Sequence, residues 1–447
     1  MNSTAITGVN LEVTTDAVFL PLVTAFVEKA ALALGMDDAT AKALMTASGE
    51  VFTYLSHIGA GENDVRIRCS GKGYYAQADF DFQAESFNMH AFNMTASYGL
   101  PEDLPDEENE PDQEETHLLT ASRMVDRFKL AQSDDGFRLT LTKERTYPAA
   151  SKGGLPKVTP LQSYSVVKPD SEELKIFVRM VVDQYDPHLV PSSFHFPGKV
   201  ADMAACGDYR AALAVDEEGR IGGGIIWIWE NHQMVECYGP YVVSEPSASS
   251  MPHDLLDFCI GAIARSRALG LICRYPTPEL PLEYFETLGD LTFLQSDGSL
   301  LELTAWYRHF DEDLGTTVWT HPLLDDFLAR EYERLAFARE IIHTADGGEV
   351  SSPFSALSSE FHQAQGRVVL RPLWWGQDAL ETLAAHVALL QKEWIHCMTF
   401  EMDLGHPWET RFAPALFENG FEPRYVLPYG GKSDLIVFEH RVDGTRP

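Results

Sequence analysis

A Gly-Pro pair inside an apolar strand pattern is the feature that most restricts how this chain can fold. Residues 234–243 form the pattern, and Gly239 and Pro240 interrupt it. Proline cannot donate a ladder hydrogen bond and glycine weakens a strand interior, so the pair predicts a β-bulge. A hairpin pattern at 210–230 precedes the strand, and a helical pattern from Pro252 follows it. This order predicts a mixed α/β domain around the bulged strand.

The length of the chain indicates several domains. Its 447 residues exceed one ordinary hydrophobic core, and a prior of about 150 residues per domain suggests roughly three. Residues 148–160 are rich in Ala, Ser, Lys, Gly and Pro and lack an apolar period, so we interpret them as a linker. We therefore place a first domain at 1–147, a second at 161–319 and a third at 320–447.

The second and third domains share a predicted order of elements. Strand, helix, strand, helix and strand follow one another at 234–307 and again at 367–439. The sequence FENGF at 417–421 is similar to FETLG at 285–289. We interpret the two domains as a divergent tandem repeat.

The first domain has the order of elements typical of an α/β sandwich. A capping Asp16, a stop at Gly35 and strict alternation at 75–82 support the assignment. The predicted elements are a strand at 10–13, helices at 16–34 and 38–57, a hairpin at 65–82, a helix at 118–129 and a strand at 136–143. The acidic, proline-containing run 101–115 predicts a solvated loop.

Four residues on the second predicted helix resemble a motif of GHKL-type ATPases. Leu44, Ala47, Glu50 and Tyr54 have the spacing of this motif, and the order of elements is similar to that of anti-sigma-factor serine kinases. The resemblance implies ATP and magnesium as ligands, with Glu50 at the metal–phosphate cluster and Asp79 at the position that reads the adenine. This chain has Tyr54 where the family has a magnesium-holding asparagine. Two interpretations remain open: nucleotide binding, or a relic fold that binds a protein partner.

The bulged strand and the elements around it resemble a second family. The second domain is similar to Gcn5-related N-acyltransferases (GNAT), and the third to a shorter, degenerate member. The resemblance implies acetyl-CoA or another acyl-CoA as cofactor, with its pantetheine along Tyr241, Val242 and Val243. It also implies that the pyrophosphate lies near a helix start, at Ser247, Ala248, Ser249 and Ser250.

The GNAT resemblance also implies catalytic groups. Glu236 has the position of the family's strand glutamate, which acts as a general base. Alternation along the strand predicts that Glu236 faces away from Val235 and Cys237. Tyr284 lies on a predicted helix at 280–288, next to the position of the family's general acid. The loop between strand and helix has no glycine and no basic residue, which predicts weak binding of acyl-CoA.

Composition restricts partners and location. The formal net charge of −33 disfavours nucleic acids and anionic membranes as partners. Six scattered cysteines without metal-ligand spacing predict buried thiols, no metal site and a reducing compartment. The N-terminus lacks the basic and apolar regions of a signal peptide, and no apolar run is long enough for a transmembrane helix, so we expect a cytoplasmic protein.

Two functional hypotheses follow from these patterns. In the first, the protein is an N-acyltransferase that modifies a small-molecule amine or a protein amine, with the ATPase-like domain as a sensor or regulatory module. In the second, all three domains are catalytically inactive, and the protein is a regulatory or interaction protein with a partner at its N-terminal domain.

Overall fold

The computed structural model describes residues 8–58, 63–83, 93, 95, 113–133, 136–151, 153–156, 159–244, 250–295, 298–344, 352–362 and 365–441. The chain divides into two compact units, of which the first comprises Met1–Thr146, Glu349–Ser359 and Arg371–Leu389, and the second Tyr147–Gly348, Glu360–Leu370 and Leu390–Pro447. None of the described helices combines the length and the apolar character needed to cross a membrane.

Helices and an antiparallel sheet form the N-terminal part of the first unit. Within its described residues the strand order is β1-β2-β3-β5-β4. The elements are β1 (Gly8–Thr14), α1 (Leu20–Ala33), α2 (Asp38–Ile58), β2 (Asp64–Lys72), β3 (Tyr75–Phe82), α3 (Gln113–Met124), β4 (Arg127–Ser133) and β5 (Gly136–Glu144).

One face of this sheet carries the core of the first unit. Strict alternation along β3 buries Ala78 and Phe80, and both belong to a cluster that includes Val27 of α1 and Phe52 of α2. Because successive strand residues point to opposite faces, the intervening polar residues of β3 lie on the other face of the sheet. This places Asp79 on the face away from the helices.

A mixed sheet dominates the second unit. Its order among the described residues is β11-β12-β10-β9-β8-β7-β6, in which the β9–β10 pair is parallel and the others are antiparallel. The elements are β6 (Ser165–Val167), α4 (Ser171–Gln184), α5 (Pro197–Ala205), β7 (Tyr209–Val215), β8 (Ile221–Trp229), β9 (Met234–Val242), α6 (Met251–Ile263), β10 (Gly270–Cys273), β11 (Glu286–Leu294) and β12 (Leu300–His309).

Two smaller sheets contain the remaining strands. In the described residues β13 pairs with β14 in parallel, and the other sheet has the order β15-β16-β17-β19-β18. The elements are β13 (Thr316–Thr320), α7 (Asp325–Leu335), β14 (Arg339–His343), β15 (Ala356–His362), β16 (Arg367–Trp374), α8 (Ala379–Lys392), β17 (Cys397–Asp403), α9 (Ala413–Glu418), β18 (Phe421–Leu427) and β19 (Leu435–His440).

The same four-strand arrangement occurs twice. In β9-β10-β12-β11 and in β16-β17-β19-β18 the first pair is parallel and the next two pairs are antiparallel. Both β11–β12 and β18–β19 contain a register shift, after Thr287 and after Pro423 respectively. Each shift lies two residues beyond a phenylalanine, Phe285 or Phe421. Thus Phe285 corresponds to Phe421, whereas the sequence comparison aligned Phe285 with Phe417, which lies at the end of α9.

The helix predicted at 280–288 is wrong. A short 3-10 helix covers Leu282–Tyr284, and β11 follows from Glu286. The apolar spacing at 280–288 fits a helical face, but Leu291 and Phe293 continue it with a period of two, and both are buried. Pairing with β12 therefore decides the structure of this segment, overriding a local helical preference.

Other differences concern where elements end. The helix predicted at 118–129 ends at Met124, and β4 begins at Arg127 because the rest of the segment pairs with β5. The helix predicted at 322–342 contains α7, which ends at Leu335 and is followed by Ala336 in a left-handed conformation (φ 54°), and then β14. Most of the predicted acidic loop, 101–112, lies outside the described residues.

Candidate functional site

The parallel strands β9 and β10 separate along their length. Their pairing covers three positions, from Gly270 opposite Met234 to Ile272 opposite Glu236. Then β10 ends at Cys273, whereas β9 continues to Val242. In the described part of the chain, no strand pairs with β9 on this side beyond Glu236. A gap in strand pairing therefore lies beside the C-terminal half of β9.

The predicted bulge lies on β9 beside this gap. Between Tyr238 and Tyr241 the register of β8 and β9 shifts by one residue, and Gly239 has a φ of 96°, which glycine adopts without steric cost. The bulge predicted at Gly239-Pro240 is confirmed. Beyond it, the amides of Val243 and Ser244 both donate to the Gly222 carbonyl on β8.

Val242 has both of its backbone groups directed into the gap. Its neighbour Val243 bonds to β8, and the groups of successive strand residues alternate in direction. The Tyr185 side chain, just after α4, occupies this edge: its hydroxyl accepts from the Val242 N–H at 2.7 Å and donates to the Val242 carbonyl at 3.1 Å. Two residues before Val242, the Pro240 carbonyl accepts a hydrogen bond from the Thr277 hydroxyl at 2.6 Å. The edge predicted to receive pantetheine thus carries side-chain partners.

A glutamate lies close to Tyr185 in the segment after β10. Partial burial raises the pKa of Glu279, and its charge contributes, after burial, to raising the pKa of Tyr185. Among the described residues, the buried Oε2 of Glu279 has no direct hydrogen-bond donor, but the Tyr185 and Thr277 side chains lie close enough to lower the pKa of Glu279 against the effect of burial. A buried carboxylate oxygen without a direct donor is unfavourable.

Glu236 lies on β9 next to the point of separation. Val235 and Cys237 belong to the cluster packed on α6, and Glu236 is fully buried and faces the other way, as alternation predicted. Its carboxylate accepts from Arg274 Nε at 2.7 Å and Nη2 at 2.6 Å, and from the Tyr238 hydroxyl at 3.2 Å. Burial alone would raise the pKa of Glu236, but the charge and hydrogen bonds of Arg274 outweigh it and lower that pKa.

Two more carboxylates lie near the same guanidinium. Glu230 Oε1 is 3.7 Å from Arg274 Nη2, and Glu401 Oε1 is 3.9 Å from Arg274 Nη1. Desolvation and the Glu236 charge raise the pKa of Glu230 to about 7. Arg274 therefore neutralises a cluster of acids, of which Glu236 is the one held in two hydrogen bonds.

The structure does not bring Tyr284 to this cluster. Tyr284 ends the 3-10 helix at 282–284, with the Arg308 guanidinium 5.0 Å from its ring centroid and the His253 ring 6.1 Å away. The longer helix predicted around it at 280–288 is wrong, because β11 begins at Glu286. The described contacts of Tyr284 and Glu236 have no residue in common, so an acid–base pair of these two is not assembled here.

The predicted pyrophosphate site is described only at its end. Ser247, Ala248 and Ser249 lie outside the described residues. Ser250 precedes α6, and its hydroxyl is 2.9 Å from the Tyr164 hydroxyl, which also donates to Asp254. Asp254 puts a negative charge in the first turn of α6, where it competes with an anionic ligand for the positive end of the helix.

The two residues predicted to bind nucleotide lie on different sides of the first sheet. Oε2 of Glu50 on α2 lies 2.6 Å from His117 Nδ1 on α3, on the helical side. Asp79 accepts from the Thr140 hydroxyl at 2.7 Å and from the Gln77 side chain, on the opposite face. Tyr54, at the magnesium position of the resemblance, is buried in the core. The structure does not bring these residues together.

One group of potential metal ligands lies elsewhere in the second unit. Asp403, His406 and Glu409 each offer an atom within 4.8 Å of the others. Both carboxylates already have backbone partners, because Glu409 accepts from the Asp403 N–H and Asp403 accepts from the Gly405 N–H. These contacts explain the group as part of the chain's own hydrogen bonding.

Sequence reasoning missed Tyr185, Thr277, Glu279 and Arg274. Tyr185 directly follows an amphipathic helix, which by itself suggests packing. The one usable signal was the position of Glu279 between Pro278 and Pro281, since an acid in a rigid, proline-bounded segment has a fixed place next to the strand that precedes it.

Comparisons with known proteins give partial structural likeness. No protein-family model and no curated protein matches this chain. A GNAT-superfamily phosphinothricin acetyltransferase from Sinorhizobium meliloti, solved with AcCoA, is 17% identical over 34% of this chain and 90% of its own, with a TM-score of 0.26. A GNAT acetyltransferase from Staphylococcus aureus Mu50 is 16% identical over 33% of this chain and 100% of its own, with a TM-score of 0.26. An aminoglycoside 6'-acetyltransferase type Ii is 12% identical over 33% of this chain and 98% of its own, with a TM-score of 0.24.

Proposed function

We propose that the second unit is an N-acyltransferase that takes its acyl group from acyl-CoA. The observation that carries the proposal is the gap beside β9, which begins where β10 ends at Cys273. There the N–H and carbonyl of Val242 point out of the sheet edge, and a ligand with amide groups can pair with them as an added strand does. Pantetheine contains two amides in an extended chain, which suits such an edge.

The proposed reaction needs a bound thioester and a deprotonated amine. The amine nitrogen bonds to the thioester carbonyl carbon and loses a proton, the C–S bond breaks, and the leaving thiolate takes up a proton. The excess of acids over bases, 67 to 34, favours a cationic amine as acceptor. A small amine and a protein amine both meet this condition.

A second function, that of a catalytically inactive interaction protein, has its own support. Tyr185 occupies the Val242 edge, Asp254 lies at the α6 start, and Arg274 holds Glu236. Each of these weakens one requirement of acyl transfer. Under this alternative, the protein shows no binding of acyl-CoA up to millimolar concentration.

The first unit is proposed to be a regulatory or docking module. Its antiparallel sheet with helices on one face agrees with the element order of the GHKL resemblance, while its candidate residues Glu50 and Asp79 lie on opposite faces. We therefore favour a protein partner over a nucleotide for this unit.

Isothermal titration of the full chain with acetyl-CoA, CoA and pantetheine tests the proposal. We expect heat and a raised melting temperature with each ligand, with pantetheine the weakest because it lacks the nucleotide. Val242→Pro should abolish acyl-CoA binding but keep the hydrogen bonds between β8 and β9, because the amide that it removes faces the gap and not β8. Val242→Ala is the matched control and should bind normally. Absence of heat and of a melting shift at millimolar acetyl-CoA would reject the enzyme and leave the interaction protein.

A further inference from the structure

The Tyr185 hydroxyl has the hydrogen-bonding pattern of a ligand amide. It accepts from the Val242 N–H, as a ligand carbonyl would, and it donates to the Val242 carbonyl, as a ligand N–H would. Both contacts use groups that the ligand also needs. Tyr185 and a bound pantetheine therefore cannot pair with Val242 at the same time.

Tyr185 is held at this edge by its ring as well as by its hydroxyl. Its ring packs edge-on against Tyr241, with centroids 4.9 Å apart, and Tyr241 is itself anchored by its own hydroxyl, which donates to the Leu189 carbonyl at 2.8 Å. Tyr185 is the residue at the end of α4 and has an extended backbone. Its side chain can therefore move without unfolding the helix.

Glu279 offers a place for the displaced hydroxyl. Its buried Oε2 has no direct hydrogen-bond donor among the described residues, and the Tyr185 hydroxyl, which lies close enough to affect the pKa of Glu279, donates its single proton to the Val242 carbonyl. If the hydroxyl leaves Val242, that proton becomes available, and a hydrogen bond to a carboxylate is stronger than one to a neutral carbonyl. Thr277, two residues before Glu279, fixes this segment beside β9 through its bond to Pro240.

We propose that the Tyr185 hydroxyl is an internal competitor of acyl-CoA on the edge of β9, and that Glu279 receives this hydroxyl when the ligand binds. The inference rests on the acyl-CoA binding proposed above. In this proposal, Tyr185 lowers the affinity for acyl-CoA by occupying the edge of β9, and Glu279 restores part of that affinity by accepting the displaced hydroxyl. No covalent step is involved, and the ligand is any thioester or thiol that carries the pantetheine amides.

A double-mutant cycle measured by titration with acetyl-CoA tests the inference on the full chain. Tyr185→Phe removes the competing hydroxyl. Because that hydroxyl makes two hydrogen bonds of modest net strength to Val242, its loss should tighten acetyl-CoA binding about tenfold. Glu279→Met removes the acceptor at similar size and should weaken binding about threefold to tenfold. In the Tyr185→Phe background, Glu279→Met should have no effect, because there is no hydroxyl left to receive.

The control is Tyr147→Phe, which loses a hydroxyl hydrogen bond to Asp202 instead of one to β9 and should bind like the wild type. If Tyr185→Phe does not fold, Tyr185→Leu takes its place in the cycle. Equal affinities of wild type and Tyr185→Phe, or additive effects of the two substitutions, reject the inference while acyl-CoA binding stands. Absence of binding by all variants rejects both the proposed function and the inference. Binding that is seen only after Tyr185 is replaced supports the competition by its hydroxyl, and it rejects acyl transfer by the wild-type chain.

Discussion

Arg274 holds the carboxylate of Glu236 through two hydrogen bonds, from Nε to Oε1 at 2.7 Å and from Nη2 to Oε2 at 2.6 Å. A general base works best when its pKa is near the working pH, and this contact lowers the pKa of Glu236 instead. Glu236 keeps the strand position implied by the GNAT resemblance, but its surroundings are those of a structural ion pair. We therefore expect that replacing Glu236 mainly lowers the stability of the fold.

Glu236→Gln should lower the free energy of unfolding by about 2 to 3 kcal/mol. Removing one partner of a buried ion pair leaves the other charge poorly compensated, at a cost of about 3–5 kcal/mol in general. Glu230 and Glu401 stay close to Arg274 and reduce the loss here. Urea denaturation followed by tryptophan fluorescence measures the change.

Glu218→Gln is the matched control for this substitution. Glu218 pairs with Arg220 at 3.5 Å, but its side chain is 74% exposed, and surface pairs contribute at most about 1 kcal/mol. Equal stability losses for the two variants would contradict a structural role specific to Glu236. A Glu236→Gln variant of wild-type stability that had lost acyl transfer would instead restore Glu236 as a base.

The buried Glu409 predicts a pH dependence of stability. Burial raises its pKa from 4.5 to about 8. Between these two values the folded state holds a proton that the unfolded state has lost, so stability falls as the pH rises through this window and is level above it. We expect a loss on the order of 2 kcal/mol between pH 5 and pH 8 from this group.

Glu409→Gln should remove most of this slope. Glutamine keeps an oxygen for the Asp403 N–H, which Glu409 Oε2 accepts at 2.8 Å, and carries no charge. Denaturant midpoints at pH 5, 6.5 and 8 give the comparison. Parallel profiles of wild type and variant would show that Glu409 does not titrate with a raised pKa.

The close packing around Gly289 on β11 predicts that a single added methyl group destabilises the fold. A Cβ at this position would lie 2.7 Å from the Arg424 carbonyl oxygen and 2.9 Å from the Tyr425 Cβ on β18. Gly289→Ala should therefore destabilise the second unit by about 1–3 kcal/mol, as overpacking does. Gly261→Ala is the control: it lies within α6 with open space around it and should stabilise by about 0.5–1 kcal/mol. Opposite signs of the two changes, read by calorimetry, are the expected result.

Local signals predicted the parts of the fold that depend on neighbouring residues. Asp16 caps the start of the first helical segment through the Val18 N–H, and Gly35 follows its end with a φ of 92°. The strands β11 and β18 were not predicted, although each pairs with the strand that follows it in the chain. The apolar spacing before β11 fits a helix equally well, and a period of two appears only at Leu291 and Phe293.

The candidate site was predictable only along β9. Alternation placed Glu236 on the correct face, and Gly239-Pro240 marked the bulge. The partners that determine how this edge behaves come from far along the chain: Tyr185 is 57 positions from Val242, and Arg274 is 38 from Glu236. Composition and spacing carry no information on such pairs, so the occupied edge and the neutralised glutamate required the structure.

The first unit should show no ATP hydrolysis, and its geometry gives the reason. Glu50 lies beside His117 on the helical side of the sheet, Asp79 lies on the other face, and Tyr54 is buried where the resemblance requires a magnesium ligand. The metal ion of a bound nucleotide needs several oxygen ligands, and the buried Tyr54 supplies none beside Glu50. Full-length protein with millimolar ATP and magnesium should release phosphate no faster than buffer. Steady release that Glu50→Gln abolishes and Glu28→Gln leaves intact would overturn the prediction, since Glu28 contacts a neighbouring lysine on α1 instead.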